Sequence, residues 1–134
     1  MVTVRKDMWK GIEEDKLASL SPEEFMKRMT SRSRRTLKRL KYNQRLKKFI
    51  EKVSKIKKSN PKKIIKTQIR DAVILPDWVG LAFSVHNGKE YKRVDITPFM
   101  VGKRLGEFVH TTGRVIHSGP GVGATRGSKF VPLK

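Results

Sequence analysis

Apolar and polar residues alternate from Leu81 through Phe83 to Val85, and again at Val94 and Ile96, with Asn87-Gly88 between the two runs. Such alternation predicts half-buried strands. Asn-Gly is the strongest short hairpin signal, because a type I′ turn needs φ > 0 at both central residues. A two-residue loop there sets His86 opposite Lys89 and Val85 opposite Glu90. Opposed residues share a face. One face then carries Leu81, Phe83, Val85, Val94 and Ile96, with Glu90 and Lys92 near the tip. The other carries Ala82, Ser84, His86, Lys89, Tyr91, Arg93 and Asp95. The first reads as core and the second as a wet, partly basic surface, for which solvent exposure alone is an equal explanation.

Elsewhere the pattern is helical. Thr97-Pro98 is an N-cap followed by proline at the first helical position, and Val101, Leu105 and Phe108 then form one apolar stripe at i, i+4 and i+7. Ser21-Pro22-Glu23-Glu24 is a capping box, followed by Phe25, Met26 and Met29. With no breaker in Ser-Arg-Ser-Arg-Arg (31–35), that helix is expected to run to about Leu40. A second helix spans roughly Asn43 to Lys58, with Leu46, Phe49, Ile50, Val53 and Ile56 on one side and lysines around the rest. Ser59-Asn60-Pro61 stops it. Ile64–Gln68 is a third strand, and Val73-Ile74-Leu75-Pro76 leads through a turn at Asp77–Gly80 into the hairpin. Before residue 21 the pattern is weak, with Trp9, Ile12, Leu17 and Leu20 as docking points. The expected fold is α+β: a small three-stranded antiparallel sheet with a short packed helix on its apolar face. Two basic N-terminal helices precede it and an extended basic tail follows. The divisions are 1–63 (extension), 64–108 (globular core) and 109–134 (glycine-rich tail, too poor in apolar residues to fold alone).

Charge sharpens this picture. The chain of 134 residues holds 32 Lys+Arg against 12 Asp+Glu, a formal +20. Residues 26–70 contribute 19 basic side chains and one acid, Glu51, whereas residues 1–25 are net acidic. Such an excess implies a polyanionic partner, since self-repulsion otherwise opposes a compact state. A basic amphipathic helix suits a membrane surface, a calmodulin-like partner or nucleic acid. Arg32, Arg34, Arg35, Arg39 and Arg45 favour nucleic acid, because planar guanidinium forks match phosphate better than solubility demands. There is no apolar run long enough to span a bilayer and no secretory signal pattern. Cysteine is absent, so neither a disulfide framework nor a thiolate metal site is expected.

Catalytic readings fail one by one. Gly119–Gly127 superficially resembles a phosphate loop but lacks the Gly-Lys-[Ser/Thr] ending and a strand–helix frame. His86, His110 and His117 have no zinc-pair spacing and no neighbouring nucleophile. Asp71, Asp77, Glu90, Asp95 and Glu107 form no paired-carboxylate signature, and Glu107 reads as a capping or ion-pair partner. Gly102 and Gly106, four apart, suit close packing or close approach of RNA. No enzyme, cofactor or metal is expected.

Leu75-Pro76 through Gly80-Leu81, Val85-His86-Asn87-Gly88-Lys89, and Met100-Val101-Gly102-Lys103-Arg104-Leu105-Gly106-Glu107-Phe108 together resemble the signature of the universal ribosomal small-subunit protein nineteen family, whose eukaryotic counterpart is small-subunit protein fifteen. The match covers roughly residues 64–117. The basic extension and the ending Gly-Ala-Thr-Arg-Gly-Ser-Lys-Phe-Val-Pro-Leu-Lys resemble the archaeal and eukaryotic branch, and the lysine-rich arm without cysteine leans towards the archaeal side.

The resemblance implies a structural ribosomal protein of the cytoplasm, bound to small-subunit rRNA in the head of the subunit beside small-subunit protein thirteen. It implies a position near the large-subunit contact, with the tail directed at the decoding region and its tRNA. The hairpin face (His86, Lys89, Arg93) and Lys103-Arg104 become rRNA-contacting candidates in this way. Arg32, Arg34, Arg35, Lys38 and Arg39 are candidates on charge alone, joined by Arg70 and Arg114. In the tail Arg126, Lys129 and Lys134 are the tRNA-facing candidates. Neither a membrane nor a homo-oligomer is expected. The alternative reading is a general, chromatin-like nucleic-acid-binding protein.

Overall fold

A computed structural model describes residues 8–17 and 19–113. Its centre is a three-stranded sheet in the order β3-β4-β5, formed by β3 (Ile65–Thr67), β4 (Ala82–His86) and β5 (Tyr91–Asp95). The α+β class and the three strands are as the sequence indicates, with two corrections to the pairing. First, β3 runs parallel to β4, with Ile65 against Phe83 and Thr67 against Val85. The chain between them, residues 68–81, is long enough for the crossover a parallel pair requires. Second, the hairpin register is Phe83↔Val94 and His86↔Tyr91, two residues from the expected one. A shift of two preserves which side chains share a face, so Phe83, Val85, Val94 and the flanking Leu81 and Ile96 are buried as expected.

The cause lies in the turn. Asn87 N–H donates to the Glu90 carbonyl (3.0 Å), so Gly88 and Lys89 are the central residues. Gly88 alone there takes positive φ, +110°, as suits a two-residue loop with glycine first. Asn87 Oδ1 accepts from both the Lys89 and Glu90 N–H groups (2.9 and 2.8 Å), an Asx arrangement that holds Asn87 outside the turn centre. Positive φ at both central residues occurs instead at Lys10-Gly11 (+48° and +81°), between β1 (Met8–Trp9) and β2 (Ile12–Glu13).

After the short α1 (Glu14–Leu17) come α2 (Pro22–Arg28), α3 (Ser31–Lys38) and α4 (Gln44–Ser59). Ser21 caps α2 through the Glu24 N–H and Asn43 caps α4 through the Leu46 N–H. The single helix expected over residues 21–40 is broken at Met29–Thr30, where both residues are extended. Arg34 makes the break stable. Its Nε donates to the Met26 carbonyl (2.8 Å), and its Nη2 donates to the carbonyls of Lys27 and Met29 (3.1 and 3.0 Å). These acceptors lie at the end of α2, where carbonyls lack intrahelical partners, and the Met26 carbonyl also accepts from the Met29 N–H (3.3 Å).

The helix expected after Thr97-Pro98 is likewise two 3₁₀ turns, Pro98–Met100 and Leu105–Phe108. Gly102, at φ +81°, ends the first by entering the left-handed region that glycine tolerates. Its N–H donates to the Ile74 carbonyl (2.9 Å), Leu105 N–H donates to Ala72, and Arg104 forms a β-bridge with Val73.

The apolar stripe is consequently divided between two cores. Leu105 joins Val109 and the sheet residues, whose apolar face is covered chiefly by Leu46, Phe49 and Val53 of α4. The expected packed helix on the sheet is therefore α4. Phe49 stands edge-on to Trp78 (5.8 Å between centroids, 88°) and also touches Phe83. Val101 joins Trp9, Ile12, Leu17, Phe25, Met29 and Val73 in the second core. Trp9 Nε1 donates to the Val101 carbonyl (2.8 Å), and Ser33 Oγ to the Gly102 carbonyl (3.0 Å). No helix of the described residues is long and apolar enough to cross a membrane.

Candidate nucleic-acid interface

At 3.6 residues per turn, Leu46, Phe49 and Val53 turn one side of α4 to the sheet, and Arg45, Lys48 and Lys52 follow on the adjoining flank at i, i+3 and i+7. That flank faces β3, one of the two edge strands of the sheet. Between them lies a cleft of about 310 Å³ lined by Arg45, Lys48, Lys52, Lys66, Gln68 and Tyr91, among others. Through Lys52 and Lys66 it adjoins a second cleft, with Ile56, Lys63 and Ile64. In the other direction Arg45 and Gln68 lead to a hollow of about 160 Å³ against Asn43, Arg70 and Asp71. Asn43 and Asp71 also wall the last cleft, about 430 Å³, with Thr36, Arg39, Tyr42, Gln44 and Arg104.

Because neighbouring clefts share walls, they make one groove from Lys63 to Arg104. Arg39, Arg45, Lys48, Lys52, Lys63, Lys66, Arg70 and Arg104 line it, against the single acid Asp71. Glu51, one turn on from Lys48, lies on the outward side of α4 away from the core and lines none of these clefts. Concentrating cations in a concave surface focuses the potential and raises local anion concentration. Tyr91 and Tyr42 are 42% and 90% exposed beside these cations. The Tyr91 ring meets the His86 edge at 4.8 Å and lies 5.9 Å from Lys66 Nζ.

The family model described as "Ribosomal protein S19" matches residues 35–117. The chain belongs to the ribosomal protein S19 family. It is 46% identical over 126 residues to "Small ribosomal subunit protein uS19" of Thermoplasma acidophilum, covering 94% of this chain and 80% of that protein. The uS19 of Thermoplasma volcanium matches with the same identity and coverage. Since the family model begins inside α3, the agreement with these archaeal proteins is what takes in most of the basic extension.

The residues singled out in this S19-family sequence fall into three groups. Arg32, Arg35, Lys38, Arg39, Lys89, Arg93 and Lys103 are exposed. Of these Arg39 lines the groove, Arg93 Nε donates to Asp95 Oδ1 (2.9 Å), and Lys103 Nζ sits 5.9 Å from the Phe108 ring.

Others are engaged in holding the protein itself. Arg34 caps α2 as described. Arg70, although at the groove wall, donates from Nη1 to the His86 carbonyl (2.8 Å) and from Nη2 to the carbonyls of Gly106 (2.9 Å) and Val109. It thereby ties β4 to the second 3₁₀ turn. His86 is half-buried, its Nδ1 accepting from the Gly88 N–H (3.1 Å). Arg104 donates from Nη2 to Thr36 Oγ1 (2.9 Å) and keeps its remaining N–H groups at the groove. Arg114, Arg126, Lys129 and Lys134 lie outside the described residues.

Sequence reasoning counted Arg45 among the phosphate-suited arginines but passed over Lys48, Lys52, Lys63, Lys66 and Gln68 as site residues. The spacing of Lys48 and Lys52 with Arg45 on the flank beside the apolar stripe was the available signal. No group of three or more His, Asp or Glu among the described residues could hold a metal ion.

Proposed function

We propose that this chain is an rRNA-binding structural constituent of the small ribosomal subunit and that the α4–β3 groove is its principal RNA surface. Membership of the S19 family carries the coarse part: a non-enzymatic protein of the small subunit, working in cytoplasmic ribosomes. The observation that supports the finer part is eight basic residues against one acid along a single groove.

Affinity arises chiefly from phosphate neutralisation and counterion release, with log K falling by about 0.7–0.9 per phosphate as log salt rises. Arginines on the wall add bidentate contacts that fix register. The resemblance of residues 75–108 to the family signature supports placement in the subunit head, beside protein thirteen and near the decoding region.

The test is filter binding of full-length protein to a small-subunit rRNA transcript across a salt series. Replacing Arg45, Lys48, Lys52 and Lys66 together by glutamine should lower the slope of log K against log salt by about 3, from the per-phosphate value. An unchanged slope removes the groove from the interface.

A further inference from the structure

At its Arg104 end the groove differs in character from the lysine-lined stretch beside α4. Tyr42, at the elbow between α3 and α4, is 90% exposed, against 56% for Phe99 and 43% for Ile64. An aromatic ring left this open is costly in water and useful to a flat ligand. Its backbone is pinned: Tyr42 N–H donates to the Arg39 carbonyl (3.0 Å) and Asn43 N–H to the Leu40 carbonyl (3.2 Å).

Arg104 is pinned as well, its guanidinium by Thr36 and its backbone by the bridge to Val73. Arg39, on α3's C-terminal side, lines the same cleft of about 430 Å³. Asp71 also lines it and pairs with no cation within 4 Å among the described residues. The cleft thus combines a ring for stacking, two guanidinium groups for a phosphate, and one carboxylate that repels phosphate but accepts from base N–H groups.

We propose that this elbow cleft takes one unpaired RNA nucleotide, its base stacked on Tyr42, its phosphate between Arg39 and Arg104 and its base edge towards Asp71. The inference rests on the RNA-binding reading above and adds the class of RNA element bound there. A base inside an A-form duplex is stacked on its neighbours and offers no free face to a side chain, whereas bases in loops and bulges do.

The experiment uses full-length protein, wild type and the Tyr42→Ala and Tyr42→Phe variants, whose exposed site leaves the two cores untouched. Fluorescence anisotropy measures binding to a single-stranded oligoadenylate and to a blunt RNA duplex of mixed sequence. Tyr42→Ala should weaken single-strand binding by about fivefold or more, the lower end of base–aromatic stacking, while duplex binding stays within about twofold. Tyr42→Phe should bind both probes like the wild type. If Tyr42→Ala binds the single strand unchanged, or loses both probes equally, the nucleotide site is refuted and the RNA-binding reading stands. If the wild type binds neither probe in a salt-dependent manner, the RNA-binding reading falls, and the site with it.

Discussion

Replacing Arg70 by alanine separates a residue that binds RNA from one that holds the fold. The guanidinium donates to three carbonyls, those of His86, Gly106 and Val109, which belong to segments far apart in the sequence. Leaving a buried acceptor unpaired costs about 1–3 kcal/mol. Arg70 is half-buried, so water reaches part of the vacated site and the lower end applies. The loss is about 3 kcal/mol for three acceptors. For a chain of this size that is a fall of about 10 °C in Tm. Thermal unfolding followed by circular dichroism in high salt measures it without interference from charge repulsion. In the filter-binding salt series the same variant should change the slope by less than the value for one phosphate, about 0.7. A Tm within about 2 °C of wild type, together with a slope lower by about one phosphate contact, would show that Arg70 faces RNA and refute its structural assignment.

Phe83 is wholly buried against Phe49 and Trp78, so Phe83→Ala should cost about 3–5 kcal/mol in denaturant unfolding. Lys89→Ala and Arg93→Ala should each stay within about 1 kcal/mol, as exposed side chains do. The opposite ranking would mean that the two hairpin faces have been exchanged. Gly106→Ala places a Cβ 3.0 Å from Arg70 Cβ and 3.1 Å from the Arg70 carbonyl oxygen, and should lower stability by about 1–3 kcal/mol. Gly113, with nothing within 4 Å, is the matched control, and equal effects at the two sites would rule out crowding as the cause.

What the sequence displayed depended on whether the determinants were local. The hairpin faces were legible because alternation has a period of two, and they survive a two-residue error in register. The turn itself was misjudged because Asn87 uses its side chain, not positive φ, to close the loop. The ends of α4 were legible from Asn43 and Pro61. The break at Met29–Thr30 was not, since it contains neither glycine nor proline and depends on Arg34 reaching three carbonyls from the next helix. The parallel pairing of β3 escaped for a similar reason. Nothing within Ile65–Thr67 records that the next fourteen residues cross over before β4 begins.

The site divides along the same line. Charge and arginine content pointed to a polyanion, whereas individual roles required tertiary placement. Arg34 and Arg70 look like the exposed arginines around them in sequence but satisfy carbonyls in the fold. Arg45, Lys48 and Lys52 become a groove wall only because β3 lies alongside them.

Lysine footprinting of the assembled small subunit tests the groove most directly. Acetylation of the free protein and of the protein within purified subunits, read residue by residue by mass spectrometry, compares Lys48, Lys52, Lys63 and Lys66 with the exposed Lys16 and Lys27 away from the groove. The groove lysines should be strongly protected in the subunit relative to Lys16 and Lys27, and should regain reactivity when the subunit is stripped of RNA by nuclease. Groove lysines as reactive in the subunit as in the free protein would contradict the α4–β3 groove as the rRNA-binding surface.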